Sequence, residues 1–234
     1  MMKILYQDEK IVAVDKKSGI ITHRNEWSRK GELAALQMVR NLLSQKVYPV
    51  HRLDRSTSGV IVFAKSSQYA KEVKCLFDEG KVKKTYLGLI RGWMHETKSV
   101  EKELDGKKAK SLIEPLAHFT SPIPVGKYDE SRYTWARMFP FSGRYHQLRR
   151  HCVHLRHPII GDSVHGDSSH NRIFKDRHGY RRLWLFASEI SFISYGVSNL
   201  TIRCPIDADC RDFLTRQNFS IPSSTGNSLS NLFG

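Results

Sequence analysis

The nine residues HRLDRSTSG, His51 to Gly59, followed at once by VIVFAK, Val60 to Lys65, constrain this chain more than any other stretch. The second half is β-branched and apolar, the composition of a buried strand. The first half sets one carboxylate, Asp54, between Arg52 and Arg55, ahead of a turn of small residues. A carboxylate among cations stays ionised at neutral pH, because nearby positive charge favours the charged form. Asp54 is therefore expected to act as a nucleophile or base rather than as an acid. Exposed ion pairs are common and mostly signify little, so a solvated salt-bridge loop competes with that reading when the motif is taken alone.

The flanking sequence mounts this motif on a folded scaffold. Ile4–Tyr6 and Ile11–Val14 are apolar runs either side of a charged turn, which predicts a β-hairpin. From Glu32 to Ser44, Ala35, Leu36, Val39, Leu42 and Leu43 recur at helical spacing. Ser66 or Ser67 is placed to cap a second helix with Ala70, Val73, Leu76 and Phe77 on its apolar side and Gly80 as its terminator. Lys83–Gly92 reads as a strand carrying Tyr86, with further strands near Arg132–Phe139, Leu183–Ser188 and Leu200–Cys204. Residues 1–219 are expected to form the folded domain, and the Ser- and Asn-rich tail, 220–234, to be mobile.

Charge narrows the partners. With 38 Lys+Arg against 23 Asp+Glu, the 234-residue chain carries a net charge of +15, which attracts a polyanion or an anionic surface. No uncharged apolar stretch approaches the roughly 20 residues needed to span a bilayer, and Lys3, Asp8, Glu9 and Lys10 interrupt any signal-peptide core. A cytoplasmic protein without membrane association is expected. The four cysteines, Cys75, Cys152, Cys204 and Cys210, form no C-x-x-C pair, so they are read as reduced thiols, mostly filling the core. Neither a cofactor nor a metal is expected.

A second constellation is GRYHQLRRHCVHLRHP, Gly143 to Pro158. Gly143 and Pro158 bracket an expected helix of about three turns. At 100° per residue Leu148, Cys152 and Leu155 share one side, while His146, Arg149 and Arg150 share the other. The expectation is one packed side and one cationic side, and Arg144, His146 and Arg149 near a helix N-terminus suit a phosphate or a carboxylate. Seven of the eleven histidines lie here or just beyond, but the H-E-x-x-H pairing is absent and the arginine density repels a cation. The following HPIIGDSVHGD, His157 to Asp167, reads by itself as a turn-rich loop.

The order HRLDRSTSG, then K-x-Y at Lys84–Tyr86, then GRYHQLR, then HPIIGD resembles the pseudouridine synthases, in particular the class of the ribosomal large-subunit synthase A. HRLD-x-x-TSG is similar to the catalytic motif of that class, KTY to its tyrosine motif and GRYHQLR to its basic motif. The likeness runs from the N-terminal hairpin to about Arg216. RRHCVHLRHPIIGDSVHGD, with the opening ILYQDEKIVAVDK, is similar to the branch that modifies uridine 65 of transfer RNA. Gly88 stands where many relatives carry alanine.

The resemblance implies an α+β pseudouridine synthase fold: a mixed, mostly antiparallel central sheet flanked by helices, in two subdomains with a cleft between them. It implies cofactor-free isomerisation of uridine in structured RNA, transfer RNA first and ribosomal RNA as the alternative, with no obligate protein partner. Asp54 is then the essential carboxylate, as nucleophile at the sugar or the base or as base at C2′. By the same resemblance Arg149 pairs with Asp54, Tyr86 stacks on the target base, and Arg52 fills the space left by the extruded base. Arg144, His146 and Gln147 contact RNA, and Arg55 has no assigned role.

Other classes fit less well. A glycoside hydrolase normally needs two carboxylates of opposed pKa, and the surroundings of Asp54 favour only the ionised form. A metal-dependent nuclease needs a cluster of hard ligands, whereas Asp162 and Asp167 lie in one loop. A non-catalytic RNA-binding module accounts for the charge but not for HRLD, KTY and HQLR together.

Overall fold

A computed structural model describes residues 2–24, 26, 28, 31–196 and 198–217. In chain order its elements are β1 (Lys3–Gln7), β2 (Ile11–Lys16), α1 (Ala35–Leu43), β3 (Tyr48–Pro49), β4 (Ser58–Ala64), α2 (Ser67–Asp78), β5 (Val82–Arg91) and β6 (Lys98–Glu101). There follow β7 (Lys110–Ser121), β8 (Ser131–Pro140), α3 (Gln147–His154), α4 (Ser168–His178), β9 (Leu185–Tyr195), β10 (Ser198–Arg203) and α5 (Ala208–Arg216). The described residues form two compact units, each made of two separate lengths: those up to 84 with those of 187–204, and 85–186 with 205–217. The expected tail, 220–234, lies outside the described residues.

In the first unit β1 and β2 make the hairpin, closed by Asp8, whose Oδ1 accepts from the backbone N–H groups of Lys10 at 2.8 Å and Ile11 at 2.7 Å. β2 runs antiparallel to β4 from Ile11 opposite Ala64 to Lys16 opposite Gly59. Every residue of β4 is buried, which is why its sequence is continuously apolar instead of alternating. Ser66 caps α2 by accepting from the Tyr69 N–H at 3.0 Å.

The second unit is built on β5, β8, β7 and β6, each antiparallel to its neighbour. Side chains alternate across a strand, and the two resulting faces carry two cores. Leu87, Leu89, Tyr133 and Trp135 pack with Phe174 of α4 and Phe213 of α5. Ile90, Ala136 and Met138 pack with Leu148 and Cys152 of α3. Gly88 lies on this second face, where a Cβ would stand 2.9 Å from Met138 Cε and 3.1 Å from the Trp184 carbonyl oxygen. Cys152, Cys204 and Cys210 are buried free thiols, and Cys75 is exposed. Among the described residues, no helix is long and apolar enough to cross a membrane.

Helix α3 is shorter than the spacing predicts, eight residues instead of about three turns. Both its ends are set by left-handed residues, His146 at φ 52° and Arg156 at φ 65°. Backbone bonds from Arg156 N–H to Val153 O and from His157 N–H to Cys152 O close the last turn before Pro158.

Candidate active site

The Asp54 loop belongs to the first unit and is braced from below. Residues 54–57 form a turn in which Thr57 N–H donates to Asp54 O at 3.1 Å. Leu53 is pinned through both backbone groups to the Thr22 hydroxyl, each at 3.1 Å. Lys16 is fully buried, and its ammonium donates to the carbonyls of Ile20 at 2.7 Å, Lys17 at 3.3 Å and Arg55 at 3.4 Å. A buried cation is tolerated only when its donors are met, so Lys16 ties the 17–20 loop to the Asp54 turn.

His51 opens the motif as a brace. Its Nε2 accepts from the Val62 N–H at 3.0 Å, and burial, with the Lys84 ammonium adding to it, pushes its pKa down to about 3. The ring is therefore neutral at physiological pH. Gly59 ends the motif at φ +116°, and a Cβ there would lie 2.2 Å from the Ala187 carbonyl oxygen. Only glycine lets β4 run this close to β9. Of the two flanking arginines, Arg52 is exposed, while Arg55 donates through Nε to Gly19 O at 3.3 Å and pairs with Glu32 at 3.1 Å. Arg55 thus holds its loop.

The basic motif lies in the second unit, and its chemistry differs from the helical-wheel expectation. Arg149 does not face solvent. Its Nε and Nη2 donate to Asp162 Oδ2 at 2.8 Å and Oδ1 at 2.7 Å, with side-chain exposures of 5% and 1%. Burial pushes the Asp162 pKa up, but the Arg149 guanidinium and the N–H groups of His165 and Val164 outweigh it and hold the carboxyl below its usual value. The wheel sorts residues by hydropathy and so assigns a buried, paired arginine to the wet side. Arg150, the other cation of that side, pairs with Asp105 at 2.8 Å.

Gln147 is buried, and the polar atoms of its side chain are engaged within the protein. Its Nε2 donates to Lys110 O at 2.9 Å and Ser111 Oγ at 3.0 Å. Its Oε1 accepts from Ser142 Oγ at 2.7 Å and Arg144 N–H at 3.0 Å. An amide offers two donors and two acceptor lone pairs, so this buried side chain is spent on fastening the 142–147 loop to β7. Arg144 is exposed and braced by a bond from Nε to Lys108 O at 3.2 Å. His146 is buried, shares a 2.9 Å hydrogen bond from its Nδ1 to His165 Nε2, and stacks on Tyr145 with ring centroids 3.7 Å apart.

Tyr86 sits in β5 opposite Met138 and packs, half-buried, against the core that includes α3. The HPII segment lies along the same strand: Arg91 N–H donates to Pro158 O at 3.0 Å and Ile160 N–H to Leu89 O at 2.9 Å. Gly161 then turns the chain at φ +75°, with the Arg182 carbonyl where a Cβ would stand, and delivers Asp162 to Arg149. Asp54 and Arg52 therefore belong to the first unit, and Tyr86, Arg144, His146, Gln147 and Arg149 to the second. Asp162, which by sequence is weighed only as a hard metal ligand, is the partner that holds Arg149, and the Gly-Asp step of HPIIGD is its signal.

Comparison with known proteins agrees with the family resemblance. The family described as RNA pseudouridylate synthase matches residues 10–154. The tRNA pseudouridine synthase C of Vibrio cholerae is 44% identical over 225 residues, covering 88% of this chain and 92% of that protein. The protein of the same name from Salmonella typhimurium is 36% identical over 206 residues, covering 81% and 79%. Among solved structures, human RNA Pseudouridylate Synthase Domain Containing 1 superposes with a TM-score of 0.72 at 22% identity, covering 99% of this chain and 93% of that one, a likeness of fold. With a family match over more than half of its length and such relatives over most of it, the chain belongs to the RNA pseudouridylate synthase family and is an isomerase of that kind.

Proposed function

We propose that the enzyme makes pseudouridine in transfer RNA, at uridine 65, with Asp54 as the essential carboxylate. The observation that carries this reading is likeness across nearly the whole chain to enzymes named tRNA pseudouridine synthase C, 44%, 40% and 39% identical in three Vibrio species. A cytoplasmic location is part of this proposal, in keeping with a transfer RNA substrate. The N1–C1′ bond of the target breaks, the base turns, C5 bonds to C1′, and the proton on C5 is lost while N1 ends protonated. Asp54 serves as nucleophile or as base at C2′. Its rigidly braced turn supports this, since a reacting group must be held in one geometry.

Tyr86 is the proposed partner of the target base, and it is fixed by its strand and by the core behind it. Arg149 is the proposed cation for Asp54, locked in orientation by Asp162. Arg52, exposed beside Asp54, is the proposed occupant of the space the extruded base leaves, the extrusion costing about a few kcal/mol. Arg144 and the wider Lys/Arg surface are proposed to hold phosphates, with affinity that depends strongly on salt. The test is tritium release from an unmodified transfer RNA transcript labelled at C5 of uridine, alongside a transcript with cytidine at position 65. Release from the first and none from the second is expected; equal release from both overturns the position, and none from either overturns the substrate.

A further inference from the structure

The basic motif carries an aromatic ring that the fold leaves bare on one side. Tyr145 is 58% exposed, yet one face lies on the buried His146 ring, with centroids 3.7 Å apart and planes 19° from parallel. That backing ring is fixed from two directions. His146 takes the left-handed conformation just ahead of α3, and its Nδ1 bonds His165 Nε2. His165 N–H in turn donates to Asp162 Oδ1 at 3.0 Å, the carboxylate that also holds Arg149.

The other exposed or cationic aromatics in this unit are arranged differently. Trp93 has Arg132 4.5 Å from its ring centroid and stacks on His118, so its ring is already engaged. Tyr128 lies in a β-turn with the Lys127 ammonium over its ring. Tyr145 has a second exposed aromatic in its own loop, Phe141 at 64%. Arg144 precedes Tyr145, and its guanidinium donates to the backbone carbonyl of the exposed Lys108.

The loop also leaves the sheet at the end where Tyr86 sits. Tyr86 pairs with Met138, and β8 ends two residues later at Pro140. Phe141 therefore follows about 10 Å further along the strand direction, at about 3.3 Å per residue. An exposed aromatic ring lying on a fixed backing ring, with the exposed Arg144 preceding it in the chain, matches a nucleobase with its phosphates.

We propose that Tyr145, backed by His146, is a stacking platform for an unpaired nucleobase of the RNA substrate other than the target uridine, with Arg144 and Lys108 on the adjoining phosphates. This rests on the reading of the enzyme as an RNA modifier and adds a recognition contact to it. The hydroxyl of Tyr145 has no part in the stacking, and the ring does all of it.

The full-length chain is compared with its Tyr145→Ala and Tyr145→Phe variants by equilibrium binding and steady-state turnover on unmodified transfer RNA, and by binding of inorganic polyphosphate. Loss of a base–aromatic stack predicts RNA binding weakened about ten- to a hundredfold in Tyr145→Ala, read in KM more than in kcat. Tyr145→Phe stays within about twofold of wild type, as the ring is kept. Polyphosphate, having no base, binds all three alike. Wild-type affinity for RNA in Tyr145→Ala overturns the platform, and so does a parallel loss of RNA and polyphosphate. Wild-type enzyme that ignores transfer RNA but modifies a ribosomal RNA fragment overturns the substrate and not the platform, which is then judged on that fragment.

Discussion

Arg149 and Asp162 meet through two parallel hydrogen bonds, Nε to Oδ2 and Nη2 to Oδ1, with almost no water reaching either side chain. A buried ion pair is weak evidence for stability but strong evidence for orientation, because removing one partner strands the other. Asp162→Asn is expected to destabilise the fold by about 3–5 kcal/mol, measured by urea denaturation. Activity is expected to fall further than the loss of folded enzyme accounts for, with Asp162→Glu recovering part of it. The Asp162 carboxyl lies below its usual value in the folded state, so its stabilising contribution is present above the ordinary carboxylate range and is lost as the pH falls through the folded value.

Asp54→Asn keeps the shape of the side chain and removes its charge. Isomerisation should disappear while RNA affinity stays within about twofold, since phosphate contacts dominate binding. Tritium release and filter binding on the same transcript test this, and full turnover by the variant would sink the assignment.

His51 titrates in the unfolded chain near 6.5 and in the folded protein only at about 3. Between those values the unfolded state binds the extra proton, so stability is expected to fall by up to about 1.4 kcal/mol for each pH unit of acidification. NMR should show the His51 ring neutral from pH 5 to 8, in the Nδ1–H tautomer, since Nε2 accepts from Val62. A ring that titrates near 6.5 contradicts the brace.

Two glycine substitutions should separate sharply. Gly59→Ala drives a Cβ into the Ala187 backbone at a φ that L residues avoid, with an expected cost of about 3 kcal/mol or more. Gly88→Ala meets the flexible end of Met138 at 2.9 Å and the Trp184 carbonyl at 3.1 Å, with no positive φ to strain it, and should cost about 1–2 kcal/mol. Thermal melts of the two variants decide it.

Binding should weaken steeply with salt, because the net charge of +15 acts on phosphates through released counterions. A flat response between about 50 and 200 mM salt argues against phosphate-dominated affinity.

The elements visible in the sequence were those whose packing is written as period or composition: the β1–β2 hairpin, α1, α2 with its Ser66 cap, and the continuous apolar run of β4. β7 was not visible, although it is twelve residues long. Pro115 lies where its register with β8 shifts, and Glu114 faces Arg137 across the ladder, so neither alternation nor a continuous apolar run marks it. α4 was hidden for a different reason. SSHNRIFKDRH buries little beyond His170 and Phe174, and its start is set by Asp167, whose carboxylate caps the Ser169 and His170 N–H groups.

At the site, the ionic chemistry was legible as residue types, and the pairings were not. Gln147 and Arg149 look like surface groups in the string GRYHQLR, and only the contacts from β7 and from Asp162 turn them into internal fastenings. Arg55 shows the reverse: in the string it reads as part of the charge around Asp54, and it is a strut to Gly19 and Glu32.

The close approach of Gly59 to Ala187 also bears on how the protein is made. The strand that lies against the end of HRLDRSTSG is encoded 128 residues after it, from position 59 to position 187. At about 5–20 residues per second, the ribosome exposes the motif on the order of ten seconds before its neighbour exists. During that interval the edge of β4 that pairs with β9 lacks that strand, and most of the second unit is translated before the first unit's sequence is complete. The Asp54 turn is among the earliest parts of the chain to be synthesised and among the last to gain all its neighbours.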